Sequence, residues 1–192
     1  MVSACYVSPN ISSDFIPVEV LLLGGVMLVI IVLIHGAGLS RIVARYDQRA
    51  DMLRRKNWHP HLATVIFAGA ILFMLALHIT EACIWGVVLN RVGLIANLRD
   101  SIYFSANTYT TIGYGKFLLP DSWRELSPIM AISGLFTFAW TTGEMFNVVQ
   151  SQHDLVAELS VRRGKRKALR RGAHHQAAPD VEPEHGESVR KA

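Results

Sequence analysis

The sequence predicts an all-α integral membrane protein, with three spanning helices and a short hairpin dipping into the membrane between the second and third. Three observations lead there. Of 192 residues, 51% are hydrophobic and only 18% charged, where an average soluble domain has roughly 25% charged residues. The charges leave three gaps: no Lys or Arg falls between Asp14 and Ser40, between Leu62 and Asn90, or between Leu126 and Gln150. Each gap holds the roughly 20 apolar residues needed to cross a bilayer. The Lys and Arg outside the gaps are unevenly distributed, and a Gly-Tyr-Gly sequence sits between the second and third gaps.

Residues 1–16 form a polar segment without Lys or Arg. It lacks the positive start of a cleavable signal peptide, so the apolar segment after it is expected to be retained as a span. Cys5 lies in this segment and Cys83 in the second span, so no intrachain disulfide is expected. The first span is expected over 17–40, where Val20 to Ser40 is an uncharged run of 21 residues. A basic linker, 41–61, leads to a unit of span, hairpin and span over 62–150, with the hairpin at 99–116. A basic tail, 151–192, follows; its last part, 172–192, is polar and Pro-containing and is expected to be disordered.

Orientation follows from the basic residues. Six lie in 41–61, four between the second and third spans, and nine after the third, seven of these within Arg162–Arg171. Fifteen of the 19 therefore share one side if the N-terminus is outside and the C-terminus cytoplasmic. The segment between the second and third spans is then extracytoplasmic. The membrane expected is a plasma membrane of bacterial inner-membrane type.

That segment opens as a short helix, which Asp100 can cap. Ile102, Tyr103, Phe104, Ala106 and Tyr109 supply its apolar surface, and Thr110-Thr111-Ile112-Gly113-Tyr114-Gly115 follows. Non-helical backbone at membrane depth is tolerated only if it is buried in protein or lines a wet cavity. The hexapeptide resembles the selectivity-filter signature of potassium channels, Thr-Thr-Val/Ile-Gly-Tyr-Gly. Tyr103-Phe104 stands where that family's pore helix carries aromatic residues, and Trp123 falls at a spacing seen in simple bacterial channels. The pattern His78-x-x-Glu81, Trp85, Tyr103-Phe104-Ser105 also resembles small bacterial pore proteins of the family.

The resemblance covers roughly 62–150 and implies a potassium-selective pore, with K+ as permeant ion and no other metal or cofactor. A dehydrated potassium ion needs rings of oxygens in place of its water. The carbonyls of Thr111, Ile112, Gly113 and Tyr114 would supply them, closed above by Gly115. Aligning successive carbonyls requires alternating backbone handedness, for which Gly113 and Gly115 are the expected positive-φ positions. The side chains of Ile112 and Tyr114 are expected to pack behind the filter, supported by Thr110, Phe104, Asn107 and Trp123. One chain carries one hairpin, so a closed ring implies a cyclic homotetramer.

Several residues depart from the pattern. Lys116 stands where most potassium channels place Asp. Four lysines about 8 Å from the axis would cost a passing cation roughly 2 kcal/mol before screening. Alternatively they splay outward and pair with Asp121 or Glu125. Glu144, 29 residues after Gly115, is expected either to face the inner cavity or to reach cytoplasmic water. Gly134 and Gly143 are candidate flex points of the inner gate, or else close-packing positions.

His78 and Glu81 share one face of the second span, where ionisable groups are costly and seek protein partners. They are expected to form a hydrogen-bonded support for the pore. A zinc site needs more ligands than these two, and His35 lies on another span.

Residues 41–58 read as an amphipathic helix, with Ile42, Tyr46, Leu53 and Trp58 toward lipid and arginines on anionic head groups. The segment resembles the slide helix of some channels. Arg162–Arg171 would likewise attract anionic lipid. Nucleic-acid binding is not expected, because the run is membrane-tethered and lacks interleaved aromatics. No span carries regularly spaced arginines, and no enzyme motif appears, so a non-enzyme is expected. Other readings stay open: a weakly selective or silent cation channel because of Lys116, a membrane scaffold or sensor with a vestigial pore, and, furthest off, a membrane enzyme using His78 and Glu81.

Overall fold

The computed structural model describes residues 17–56, 60–115 and 117–176. The described residues form four α-helices: α1 (Val18–Lys56), α2 (Pro60–Arg91), α3 (Leu98–Tyr109) and α4 (Leu126–Gln176). A 3-10 turn at Asp121–Trp123 precedes α4, and no strand occurs among the described residues. By length and composition α1 and α2 can each cross a membrane, with mean hydropathy of 2.7 and 2.4 over their most apolar windows. The N-terminal half of α4 is less apolar, because Ser127, Ser133, Thr137, Thr141, Thr142 and Glu144 interrupt it.

α1 packs closely on its neighbours through small residues. A Cβ added at Gly24 would lie 2.7 Å from Ile129 Cδ1 on α4. At Gly36 it would lie 2.8 Å from the Trp140 ring, and at Gly38 2.8 Å from Leu77 Cδ1 on α2. Such close approach is how helices gain packing energy where no hydrophobic effect separates protein from lipid. The outer faces of α1 and α2 keep Leu22, Val26, Leu33, Val65, Leu72 and Phe73 exposed, as lipid contact requires.

α1 does not end at residue 40. It runs unbroken through the basic segment to Lys56, and α4 likewise continues to Gln176. The two extensions pack together, which corrects the lipid-facing orientation expected for the apolar residues of 41–58. Tyr46 and Leu53 are buried, the first beside Ala70, Met74 and Val148 with Ile42 against the same cluster, the second beside Ala63, Leu155 and Leu159. An apolar stripe facing a continuous helical partner buries more surface than the same stripe lying on head groups. Polar links reinforce the contact: the Tyr46 hydroxyl donates to Gln152 Oε1 at 3.2 Å, and Arg162 Nη1 donates to the Arg54 carbonyl at 3.0 Å. The arginines of 162–171 are exposed. Residues 172–176, expected to be disordered, belong to the helix. The expectations for 1–16, Trp58 and 177–192 lie outside the described residues.

α3 is held from both sides. Asn97, not Asp100, is its N-cap: the Asn97 side chain accepts from the Arg99 amide at 2.9 Å, while Asp100 sits in the first turn, where the helix dipole favours an acid. On the α2 side, a Cβ at Gly86 would lie 2.7 Å from Ile102 Cα, and Ser101 Oγ donates to the Gly86 carbonyl at 2.6 Å. On the α4 side, Gly134 packs against the Tyr109 carbonyl, and the fully buried Trp85 of α2 ties the two flanking helices by donating from Nε1 to Ser133 Oγ of α4 at 3.1 Å. The core around α3 also contains Val20, Ile31, Leu89, Tyr109, Leu126 and Met130, with Phe104 and Trp123 packed against it.

Candidate functional site

The chain leaves the C-terminal end of α3 through Thr110-Thr111-Ile112-Gly113-Tyr114-Gly115. The last carbonyls of α3 need donors that the helix cannot supply. The Thr110 amide and hydroxyl both reach the Ala106 carbonyl, at 3.1 and 2.7 Å. The Thr111 amide donates to Thr108 O at 3.0 Å, and the amides of Ile112 and Gly113 both donate to Asn107 O, at 2.9 and 3.2 Å. Asn107 therefore supports this segment with its carbonyl. Its side chain, expected to reach the filter, donates instead to the Tyr103 carbonyl within its own helix at 2.8 Å.

The backbone turns left-handed at Thr111 (φ 59°) and again at Gly113 (φ 66°), with Ile112 between them. This is alternating handedness, but its register differs from the sequence expectation: Gly113 is positive as expected, Thr111 takes the second positive position, and Gly115 does not. A threonine at positive φ carries a steric cost that only a constrained site sustains. Ile112 and Tyr114 are 64% and 76% exposed, so the chain's own helices do not cover the two side chains expected to pack behind the filter.

Behind this segment lies a buried polar cluster joining all four helices. Glu81 and His35 are fully buried. Glu81 Oε1 accepts from His35 Nδ1 at 2.8 Å, and Glu81 Oε2 accepts from the Tyr109 hydroxyl at 2.5 Å. His78 Nδ1 lies 3.0 Å from that hydroxyl, and His78 Nε2 lies 2.9 Å from Thr141 Oγ1. Thr141 Oγ1 is also 3.1 Å from His35 Nε2, which closes a circuit of five links. Thr137 Oγ1 joins at 2.7 Å from the Tyr109 hydroxyl. His78 stacks on Phe138, with ring centroids 4.1 Å apart.

A buried carboxylate without partners would be prohibitively costly at this depth; here both its oxygens are engaged. The circuit ends on Tyr109, the last residue of α3, immediately before Thr110. His35, His78 and Glu81 are close enough together to consider as metal ligands. The geometry favours hydrogen bonding, because all four ring nitrogens already have partners in the circuit.

The remaining expected site residues are dispersed. Gly134 packs on Tyr109: a Cβ there would overlap the Tyr109 carbonyl oxygen and lie 2.9 Å from its carbon. Its glycine is thus explained by close packing, which corrects its placement at the inner gate. Gly143 has open space around it, on the face of α4 turned away from the other helices. Glu144 is half-buried in a groove with Leu39, Ser40, Val43 and Asp47 of α1, and its Oε2 accepts from Asn147 Nδ2 at 3.3 Å. That corrects its placement in a central cavity. Extending the helix from the filter gives the right turn, but α1 occupies that side. Asp121 is exposed and pairs with Arg124 at 3.6 Å; Lys116 lies outside the described residues.

Residues 61–151 match a family model described as ion channel. No curated protein and no solved structure matches the chain. The matched segment comprises α2, α3, the Thr110–Gly115 segment and α4 as far as Ser151. α1, with His35, stands outside it and packs along it. The match over 61–151 and the two apolar helices of spanning length both fit a membrane protein.

Sequence reasoning did not bring His35, Tyr109, Thr137 and Thr141 into one site. A signal for His35 was present: it is the one ionisable residue in the uncharged run of the first span, and His78 and Glu81 stand at comparable depth in the second. Isolated ionisable groups in separate spans are expected to seek each other.

Proposed function

We propose that the chain is the subunit of a passive, potassium-selective channel, with four copies surrounding a filter formed by Thr111 to Gly115. The observation that carries this reading is the alternation of backbone handedness at Thr111 and Gly113, at the C-terminal end of α3 and within Thr-Thr-Ile-Gly-Tyr-Gly. Alternation turns successive carbonyls toward one side, as rings of dehydrating oxygens require. The partial negative charge at the C-terminal end of α3 favours a cation at the same place.

Fourfold assembly is supported by what one chain leaves open. Ile112, Tyr114 and, on α4, Ile132, Leu135 and Phe146 are exposed and apolar. Neighbouring copies would cover the filter side chains and set α4 around the conduction path, which accounts for α4 being less apolar than a helix in lipid. α1, α2 and the membrane half of α4 would be the three spans, with the N-terminus outside. The exposed arginines of 162–171 would then meet anionic head groups on the cytoplasmic side, at roughly 1 kcal/mol per charge near the surface.

A second reading has one observation in its favour: a Lys at position 116 would repel cations at the mouth and give a weakly selective or nearly silent pore. Potassium flux from vesicles reconstituted with the full chain tests the proposal. The wild type is expected to release potassium, and Gly113→Ala, which strains a left-handed position, to lose most of that flux. Equal flux from the two would sink the filter assignment. Flux that appears only in Lys116→Asp would favour the second reading.

A further inference from the structure

His35 is not part of the segment that matches the ion-channel family, yet it closes the polar circuit behind Tyr109. Counting hydrogens shows what it contributes. The circuit runs Glu81–His35–Thr141–His78–Tyr109–Glu81 and has five links, each needing one hydrogen. Tyr109 and Thr141 bring one apiece, and two neutral imidazoles one apiece. With Glu81 ionised, four hydrogens serve five links and leave one of them empty.

A fifth proton completes all five links wherever it resides. On His35, that ring donates to Glu81 and Thr141, and Thr141 donates to His78. On His78, that ring donates to Tyr109 and Thr141, and Thr141 donates to His35. On Glu81, the carboxyl donates to Tyr109, Tyr109 to His78, His78 to Thr141, and Thr141 to His35. Every such arrangement is electrically neutral. One proton fewer leaves two lone pairs in contact and a buried negative charge; one more leaves a net positive charge. The titratable groups facing the circuit are its own members, His35 from α1, His78 and Glu81 from α2, and Tyr109 from α3; α4 contributes only the uncharged Thr137 and Thr141.

We propose that His35 is a positioning residue for the filter, acting from outside the pore unit: it completes a proton-balanced circuit that fixes Glu81, and through Glu81 the Tyr109 end of α3 where the filter begins. The inference rests on the potassium-channel reading. α1 is then part of what sets selectivity. Without His35, three links remain, from Thr141 through His78 and Tyr109 to Glu81, and Glu81 Oε1 loses its donor.

The test is the potassium-to-sodium permeability ratio of full-length channels in planar bilayers. His35→Leu and the nearly isosteric Thr141→Val should lower it at least about tenfold, the equivalent of one lost buried hydrogen bond. His35→Asn, whose amide can replace the Nδ1 donor to Glu81, should recover part of the loss. Combining His35→Leu with Tyr109→Phe should add little to Tyr109→Phe alone, because the two act along one chain of contacts.

A purely structural role would lower the yield of assembled channels and leave the ratio unmoved, with no recovery in His35→Asn. Should His35→Leu not assemble, Thr141→Val carries the same comparison. A selective wild type with unchanged ratios in both variants would overturn the inference alone, whereas a wild type without selectivity would overturn the channel reading beneath it. Zinc block at micromolar concentration that vanishes in His35→Leu would also overturn it, in favour of a metal site.

Discussion

Gly134→Ala is expected to abolish potassium flux. The added Cβ would overlap the carbonyl oxygen of Tyr109 and lie within 2.9 Å of the carbonyl carbon and 3.2 Å of the Tyr109 ring. Backbone atoms cannot swing aside as a flexible side chain does, so either α3 or α4 must shift. Overpacking of this kind costs typically 1–3 kcal/mol, and here the displaced group is the last residue before the filter. Flux per assembled channel should fall at least about tenfold, which is what a displacement worth about 1.4 kcal/mol in the conducting state produces. Gly69→Ala is the control: its Cβ meets nothing within 4 Å, and flux should match the wild type. Vesicle flux normalised to the amount of tetramer measures both, and a fully conducting Gly134→Ala would show that α3 and α4 are not locked together at this contact.

The second large effect falls on stability. Glu81→Leu leaves the donors of His35 and Tyr109 buried without an acceptor, and breaking a buried pair from one side costs about 3–5 kcal/mol. Glu81→Gln keeps an acceptor oxygen and should cost about 1–2 kcal/mol. The double variant His35→Leu/Glu81→Leu should recover part of the loss, because an apolar pair in that space no longer strands the His35 donor. Thermal melts of detergent-solubilised protein give the order: wild type, then Glu81→Gln, then the double variant, with Glu81→Leu lowest. Glu81→Leu melting with the wild type would mean that the circuit contributes nothing to the fold.

The positions of the helices were legible because charge is excluded from lipid whatever the tertiary fold. The gaps between Leu62 and Asn90 and after Leu126 correspond to α2 and to the N-terminal half of α4. The segment between them was legible because Thr-Thr-Ile-Gly-Tyr-Gly is a local backbone pattern. What escaped depends on packing between helices. The apolar stripe with Tyr46 and Leu53 has the same period whether it meets head groups or another helix, and only the length of α4 decides in favour of the helix.

Glu144 illustrates the same limit. Its helical phase could be counted from Gly115, but the presence of α1 on that side could not. The glycine at 134 allowed a hinge or a close contact, and the choice depended on where Tyr109 lies. The five-link circuit draws on residues 35, 78, 81, 109 and 141. Nothing local to any one of them announces the others, apart from the cost of leaving His35 and Glu81 alone in a membrane.

The central claim is that Thr111 to Gly115 selects potassium. The most direct measurement is the reversal potential of the full-length protein in a bilayer, with potassium on one side and sodium on the other. The account predicts a potential close to that set by the potassium gradient, and a shift toward zero in Gly113→Ala. A wild-type potential that follows sodium, or that sits at zero with current flowing, would contradict it.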